Sequence, residues 1–244
     1  MKRLSMFWGF KMGNLKMPVA IILVITGMVG LGCKSQRQRE QPAEVEAETE
    51  AETAVVQDIP EGWTPLFDGE TLTGWEIVRY GGEGEAYVKD GVLVLPMATS
   101  GLLTGVIWVG DTLPVNNYTI YYEARRVAGH DIFAGLSFPY KDTFASLIIG
   151  GWAGIVNGLS CIDGYDASEN ETTNHFALSD NIWYPVELRV TTDSISVDIG
   201  SEHVFDLATA GKRIHLRPGS YTESLTLWTY LSTGEIRNFR IKKL

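Results

Sequence analysis

The sequence predicts an all-β fold, a jelly-roll sandwich of two antiparallel sheets, over residues 60–244. Three observations predict it. Apolar and polar residues alternate with a period of two in several segments. A dozen or so short apolar runs are separated by turn residues. No stretch after residue 60 carries a 3.6-residue apolar period. Many short strands with such punctuation pack as two facing sheets.

Strands are expected at Tyr87–Lys89 and Val92–Leu95, joined by the tight-turn pair Asp90-Gly91, and at Leu103–Val109. The run Tyr118–Arg125 alternates, with Tyr118, Ile120, Tyr122 and Ala124 on one face. Further strands are expected at Ile132–Pro139, Phe144–Ile149 and Ile155–Ile162. Val186–Val190 and Ile195–Ile199 alternate cleanly across the short link Thr191–Ser194, a hairpin. His203–Phe205, Ser224–Tyr230 and Ile236–Lys242 complete the set. No internal repeat is present, which argues against a propeller or solenoid.

The 244 residues carry 20 Lys+Arg against 30 Asp+Glu, a net charge of −10. The first 32 residues hold Lys2, Arg3, Lys11 and Lys16 and no acid, so the remainder stands at −14. Such a surface repels phosphate backbones, and nucleic acid is excluded as a partner. A 45% apolar content excludes wholesale disorder. The two cysteines, Cys33 and Cys161, are not in a zinc spacing. Cys161 lies in the apolar run Gly158–Ile162 and reads as a buried, inert thiol.

The basic start, the apolar stretch 17–32 and the small residues before Cys33 describe a secretory signal. The apolar stretch is shorter than the ~20 residues of a membrane span. A Cys directly after small residues resembles a bacterial lipobox, in which Cys33 is lipidated and becomes the mature N-terminus. Residues 33–59 then form an acidic low-complexity tether. Its Glu44, Glu46, Glu48, Glu50 and Glu52 recur at every second position and can bury no apolar face. The organisation expected is a signal over 1–32, a lipidated tether over 33–59 and a jelly roll over 60–244. It is anchored to a membrane through Cys33 at the cell envelope, on the periplasmic or outer-membrane face.

The two ends of the β region carry a family resemblance. The opening Gly62-Trp63-Thr64-Pro65-Leu66-Phe67-Asp68-Gly69-Glu70-Thr71-Leu72-Thr73-Gly74-Trp75 is followed by Asp90-Gly91-Val92-Leu93 and, at the end, Ile236-Arg237-Asn238-Phe239-Arg240-Ile241. This order resembles the bacterial 3-keto-disaccharide hydrolase family, also described as 3-keto-glucoside 1,2-lyase/3-keto-2-hydroxy-glucal hydratase. The resemblance implies a concanavalin A-like jelly roll. It also implies cleavage of 3-keto sugars by removal of the C2 proton, loss of the C1 substituent and addition of water. The middle departs from the family: Gly129–Tyr140 contains no Arg, and Ile148–Gly154 lacks the family's polar strand.

That chemistry asks for a base and an electrophile at the ketone oxygen. His130, next to Asp131 after a glycine, is expected to start a strand at a rim, where a base would sit; a plain turn histidine is the other reading. His175 closes the acidic stretch 163–175, while His203 and His215 read as structural or exposed. Asp163, Asp166, Glu169 and Glu171 place four carboxylates within nine residues. They offer acids, bases or hydroxyl acceptors; a hard cation such as Ca²⁺ is conceivable, but the spacing is not an EF-hand and a solvated loop with Asx-turns is the preferred reading. No metal or other cofactor is assigned. Trp152, between glycines, reads either as a sugar-stacking platform or as a core tryptophan. The composite site therefore has His130, Asp131, Asp166 and Glu169 in catalytic roles and Trp152, Asp163 and Glu171 binding carbohydrate. The alternative is a non-catalytic carbohydrate-binding lipoprotein.

Lipidation is directly testable. Cys33→Ser should move the protein from the detergent phase to the aqueous phase on Triton X-114 partitioning. Unchanged partitioning, with residues 1–32 retained in the mature protein by mass spectrometry, would contradict it.

Overall fold

The computed structural model describes residues 59–100, 103–217 and 224–244. The signal segment, Cys33 and the acidic tether up to residue 58 lie outside the described residues. Among the described residues no helix is long and apolar enough to cross a membrane.

Strands follow one another along the chain as β1 (Thr64–Pro65), β2 (Trp75–Ile77), β3 (Tyr87–Lys89), β4 (Val92–Leu95), β5 (Leu103–Trp108), β6 (Tyr118–Gly129), β7 (Gly135–Tyr140) and β8 (Thr143–Gly150). A single helical turn, α1 (Gly151–Gly154), leads to β9 (Val156–Ser160), β10 (Asn174–His175), β11 (Tyr184–Val190), β12 (Ser194–Ile199), β13 (Glu202–Ala208), β14 (Thr226–Tyr230) and β15 (Ser232–Lys243). They form two antiparallel sheets. One runs β13-β12-β11-β6-β15-β4-β3, with β1 paired to β15; the other runs β10-β9-β8-β7-β14-β5-β2.

The core lies between the sheets. The expected inner face of β6 is fully buried at Tyr118, Ile120, Tyr122 and Ala124. Leu136, Phe138, Leu147, Ile149, Leu159 and Leu227 meet it from the other sheet. Burying each such side chain contributes roughly 1.5–3 kcal/mol. Strand β15 carries a bulge between Arg237 and Arg240. Asn238 sits there at φ 57°, a left-handed conformation that Asn tolerates better than most residues. The bulge turns Phe239 into the core, edge-on to Trp75 (centroids 5.5 Å apart) and tilted against Tyr122 (5.4 Å). It also presents Arg237 Nε and Asn238 Nδ2 to the Glu123 carboxylate at 2.8 and 2.9 Å. The Trp75 indole donates to Leu66 O at 2.7 Å, which fastens the opening segment beside the closing strand.

One expected element is corrected. The strand beginning near His130 does not exist as such: β6 ends at Gly129 and β7 starts at Gly135. Asp131 causes the break. Its side chain accepts from the backbone N–H of Ile132 (2.9 Å) and Ala153 (3.0 Å), and Ser232 Oγ bonds both its N–H and its carbonyl at 2.8 Å. Side-chain bonds of this kind compete with a ladder.

Phe239 is 1% exposed and touches both sheets' aromatics. Phe239→Ala is expected to cost about 3–5 kcal/mol. Urea unfolding should show this as a lower midpoint at unchanged slope; a loss below ~1 kcal/mol would remove the bulge from its proposed structural role.

Candidate functional site

The β8–β9 turn presents Trp152 at one rim of the sandwich. Gly150, Trp152, Ala153 and Gly154 all have positive φ, so two non-glycine residues stand in the left-handed region. Such conformations persist only where neighbours hold them. Here the Asp131 carboxylate holds Ala153 N–H, and Asn157 Oδ1 accepts from Gly150 N–H at 2.9 Å. Gly154 stands at φ 92°, which favours glycine, and a Cβ there would also crowd His130 O at 3.3 Å and Arg126 Nη1 at 3.1 Å. Trp152 keeps 36% of its surface exposed. His130 is exposed beside it, its backbone N–H donating to Leu231 O at 3.2 Å. His130, Asp131 and Trp152 therefore share one rim, and Asp131 is the link between them.

Beneath that turn lies Arg126, which sequence reasoning missed. It continues the inward alternation of β6 beyond Ala124 and is 8% exposed. Its Nε pairs with Asp180 at 2.6 Å and its Nη2 donates to Leu178 O at 2.9 Å. Nη1 is buried without a partner. The signal was available: period two from Tyr118 reaches position 126 on the inner face.

The acidic stretch is an exposed loop with Asx-type hydrogen bonds, as expected, and it is fastened to the sheet by one residue. Asn170 organises it, donating to the carbonyls of Leu159, Tyr165 and Asp166 and accepting from Thr172 N–H and Oγ1. Ala167 and Thr172 are buried. Ala167 joins Ile132, Ile148 and Val156 in a small apolar cluster on the outer face of the seven-stranded sheet, and Trp228 packs against it. Trp228 was also missed, although the alternation of Thr226, Trp228 and Tyr230 against Leu225 and Leu227 places it outward. Its ring lies across Gly135, where a Cβ would approach to 2.5 Å.

The loop's backbone thus reaches the same outer face as Ile132, but most of its carboxylates turn to the segment 212–217. Asp163 Oδ1 accepts from Arg213 N–H at 2.9 Å. Asp166 Oδ2 pairs with Arg217 at 3.1 Å, and its Oδ1 accepts from the Cys161 thiol at 3.3 Å. Glu171 pairs with Lys212 at 2.6 Å. Glu169 alone of the four is exposed with no partner among the described residues. Among the described residues no group of three or more His, Cys, Asp or Glu is placed to hold a metal ion. Of the other histidines, His203 bridges Asp198 (2.7 Å) and Asp206 (3.2 Å), and the hydrogen bond to Asp198 raises its pKa above the ordinary value. His215 Nδ1 lies 2.6 Å from Leu216 O, and His175 is exposed in β10.

The family model of the 3-keto-alpha-glucoside-1,2-lyase-like domain matches residues 62–242. The chain belongs to this family. As a 3-keto-glucoside-lyase-like domain it places both ends of the family pattern around one core, through Trp75 and Phe239. Among solved structures it is similar to a putative glycosyl hydrolase from Parabacteroides distasonis, at 15% identity and TM-score 0.51, over 77% of this chain and 98% of that one. It is also similar to the Crh5 transglycosylase in complex with NAG, at 9% identity and TM-score 0.54, over 75% and 84% of the two chains. Both likenesses are of fold. No curated protein matches the sequence.

Burial pushes the Cys161 thiol up to about 12, and the adjacent Asp166 carboxylate adds to the rise. The thiolate is the reactive form. Against a free thiol near pKa 8.5, iodoacetamide at pH 8 should alkylate Cys161 about a thousandfold more slowly in the native protein, and readily once urea unfolds it. Native labelling at a free-thiol rate, located by peptide mass spectrometry, would contradict this environment.

Proposed function

We propose that this domain cleaves 3-keto-glycosides at the cell envelope, held to a membrane by a lipid on Cys33. The observation that carries the proposal is membership of the 3-keto-glucoside-lyase-like family across residues 62–242. The rim supplies groups suited to the chemistry. The ketone at C3 acidifies the C2 proton. A base takes that proton, and the electron pair forms the enolate. The enolate then closes a C1=C2 double bond as the C1–O bond breaks; the C3 carbonyl returns, and the leaving oxygen takes up a proton. Water adds across the new double bond, its hydroxyl to C1 and its proton to C2, so the net reaction is hydrolysis.

His130 is the base in this proposal, because its imidazole is exposed at the rim beside Trp152 and imidazole is the commonest general base in enzymes. Trp152 offers a ring face for the sugar. Asp131, occupied with Ala153 and Ile132 N–H, positions that tryptophan. Glu169 is the one loop carboxylate free for proton transfer; Asp163, Asp166 and Glu171 shape the loop. The engaged state of those three carboxylates favours a second reading, a carbohydrate-binding domain without catalysis.

The test incubates the purified full chain in detergent with 3-keto-trehalose and follows release of glucose by NMR. The proposal expects turnover, with His130→Ala slowing it by about 10²–10⁴-fold at unchanged melting temperature. Saturable binding without release would select the binding reading. Release that is insensitive to His130→Ala would assign the base elsewhere.

A further inference from the structure

At the end of the sandwich opposite Trp152, a cavity of about 430 Å³ opens between the first and last segments of the domain. The two ends are distinguished by register: Ser232 pairs with Gly129 at the Trp152 end, and Lys243 pairs with Tyr118 at this one. Among its lining residues are Thr64, Leu66, Trp108, Asp111, Leu113 and Lys243. Thr64 and Leu66 belong to the opening family pattern.

We infer that this cavity is a second carbohydrate-binding site, one that takes an uncharged saccharide. Three features point there. Its walls mix apolar groups (Leu66, Leu113) with polar Thr64 and Thr112 around one aromatic side chain, Trp108, an amphipathic lining suited to a sugar. Trp108 lies with its ring against Gly74 and Gly110, where Cβ atoms would come within 2.7 and 2.3 Å, so both glycines are required for that placement. Its indole N–H donates to Asp111 O at 2.8 Å, which fixes the ring relative to the loop. Next, the Asp111 and Lys243 side chains are exposed and make no hydrogen bond or ion pair among the described residues. This contrasts with Asp163, Asp166 and Glu171, all of which are engaged. Finally, the two free charges are opposite. A charged ligand would gain one and meet repulsion from the other, whereas a polyol uses both, donating hydroxyl protons to the carboxylate and accepting from the ammonium. The volume falls within the range of about 300–1,000 Å³ usual for small-ligand sites. The inference does not rest on catalysis at the other rim.

The experiment labels the full chain in detergent with ¹⁵N-tryptophan and titrates it separately with maltotetraose, cellotetraose and trehalose. The Trp108 indole signal, assigned with Trp108→Phe, is the reporter because its N–H contacts Asp111. At least one probe should shift it saturably. Asp111→Ala and Lys243→Ala should each raise Kd about tenfold, as expected for loss of one charge-assisted hydrogen bond. Both residues lie at the surface, so the melting temperature should hold; Asp111→Asn provides a second, isosteric check. Three outcomes overturn the inference: no saturable Trp108 shift with any probe, shifts confined to the Trp152 signal, or undiminished affinity in both alanine variants.

Discussion

The bulge at Arg237–Arg240 governs much of this fold. Strand β15 is flanked by β6 on one side and by β4 and β1 on the other, so any register error in it would propagate through the eight-stranded sheet. One extra residue, absorbed by Asn238 at positive φ, brings Phe239 into the interior while Arg237 and Arg240 stay on the outer face. There Arg237 meets Glu123 and stacks over Trp183 with its guanidinium 4.2 Å from the ring centroid. Arg240 lies 4.2 Å from Tyr121 in the same way. The residues Arg-Asn-Phe-Arg are thus a packing device: a left-handed turn, one core aromatic and two cations that cover outer aromatics. Because Phe239 touches Trp75, and Trp75 touches Trp108 at 5.3 Å, the same device ties the closing strand to the cavity at that end.

At the opposite end the organising principle is polar. Asp131, Asn157 and Asn170 spend their side chains on backbone groups, and each satisfies a segment that a regular ladder leaves unpaired. Asp131 stops β7 from starting early and holds the strained turn that carries Trp152. Asn157, buried between the sheets, joins Gly150 to Phe176. Asn170 folds the acidic stretch onto the sheet. The cost of two non-glycine residues at positive φ, of order 1–3 kcal/mol each, is offset by these bonds and concentrates at the rim where the family chemistry is proposed.

The strong negative charge is managed locally rather than by a general excess of cations. Lys212, Arg213 and Arg217 lie on one short segment, and side chains or backbone from all three meet the acidic loop. This pairing leaves Glu169 in the acidic loop exposed and, like Asp111 at the cavity, without a side-chain partner among the described residues. Both stand in loops held by the sheets.

The sequence by itself determined the class of fold and most strand positions, because a sheet with one buried face writes its period directly into the chain. Tyr118, Ile120, Tyr122 and Ala124 are the clearest case. It also determined the family, through residues whose spacing serves packing: Trp75, Asp90-Gly91 and Phe239. The tertiary structure decided which polar residues are free. Asp131, Asp163, Asp166 and Glu171 look as available in sequence as Glu169 or Asp111, yet each has a partner in a segment 22 to 51 residues away. It also decided that Arg126 and Trp228 border the site and that the opening motif lines a cavity. Period two reports the face on which a side chain stands. It carries no information about which loop lies across that face, since loop placement depends on long-range hydrogen bonds and packing rather than on local pattern.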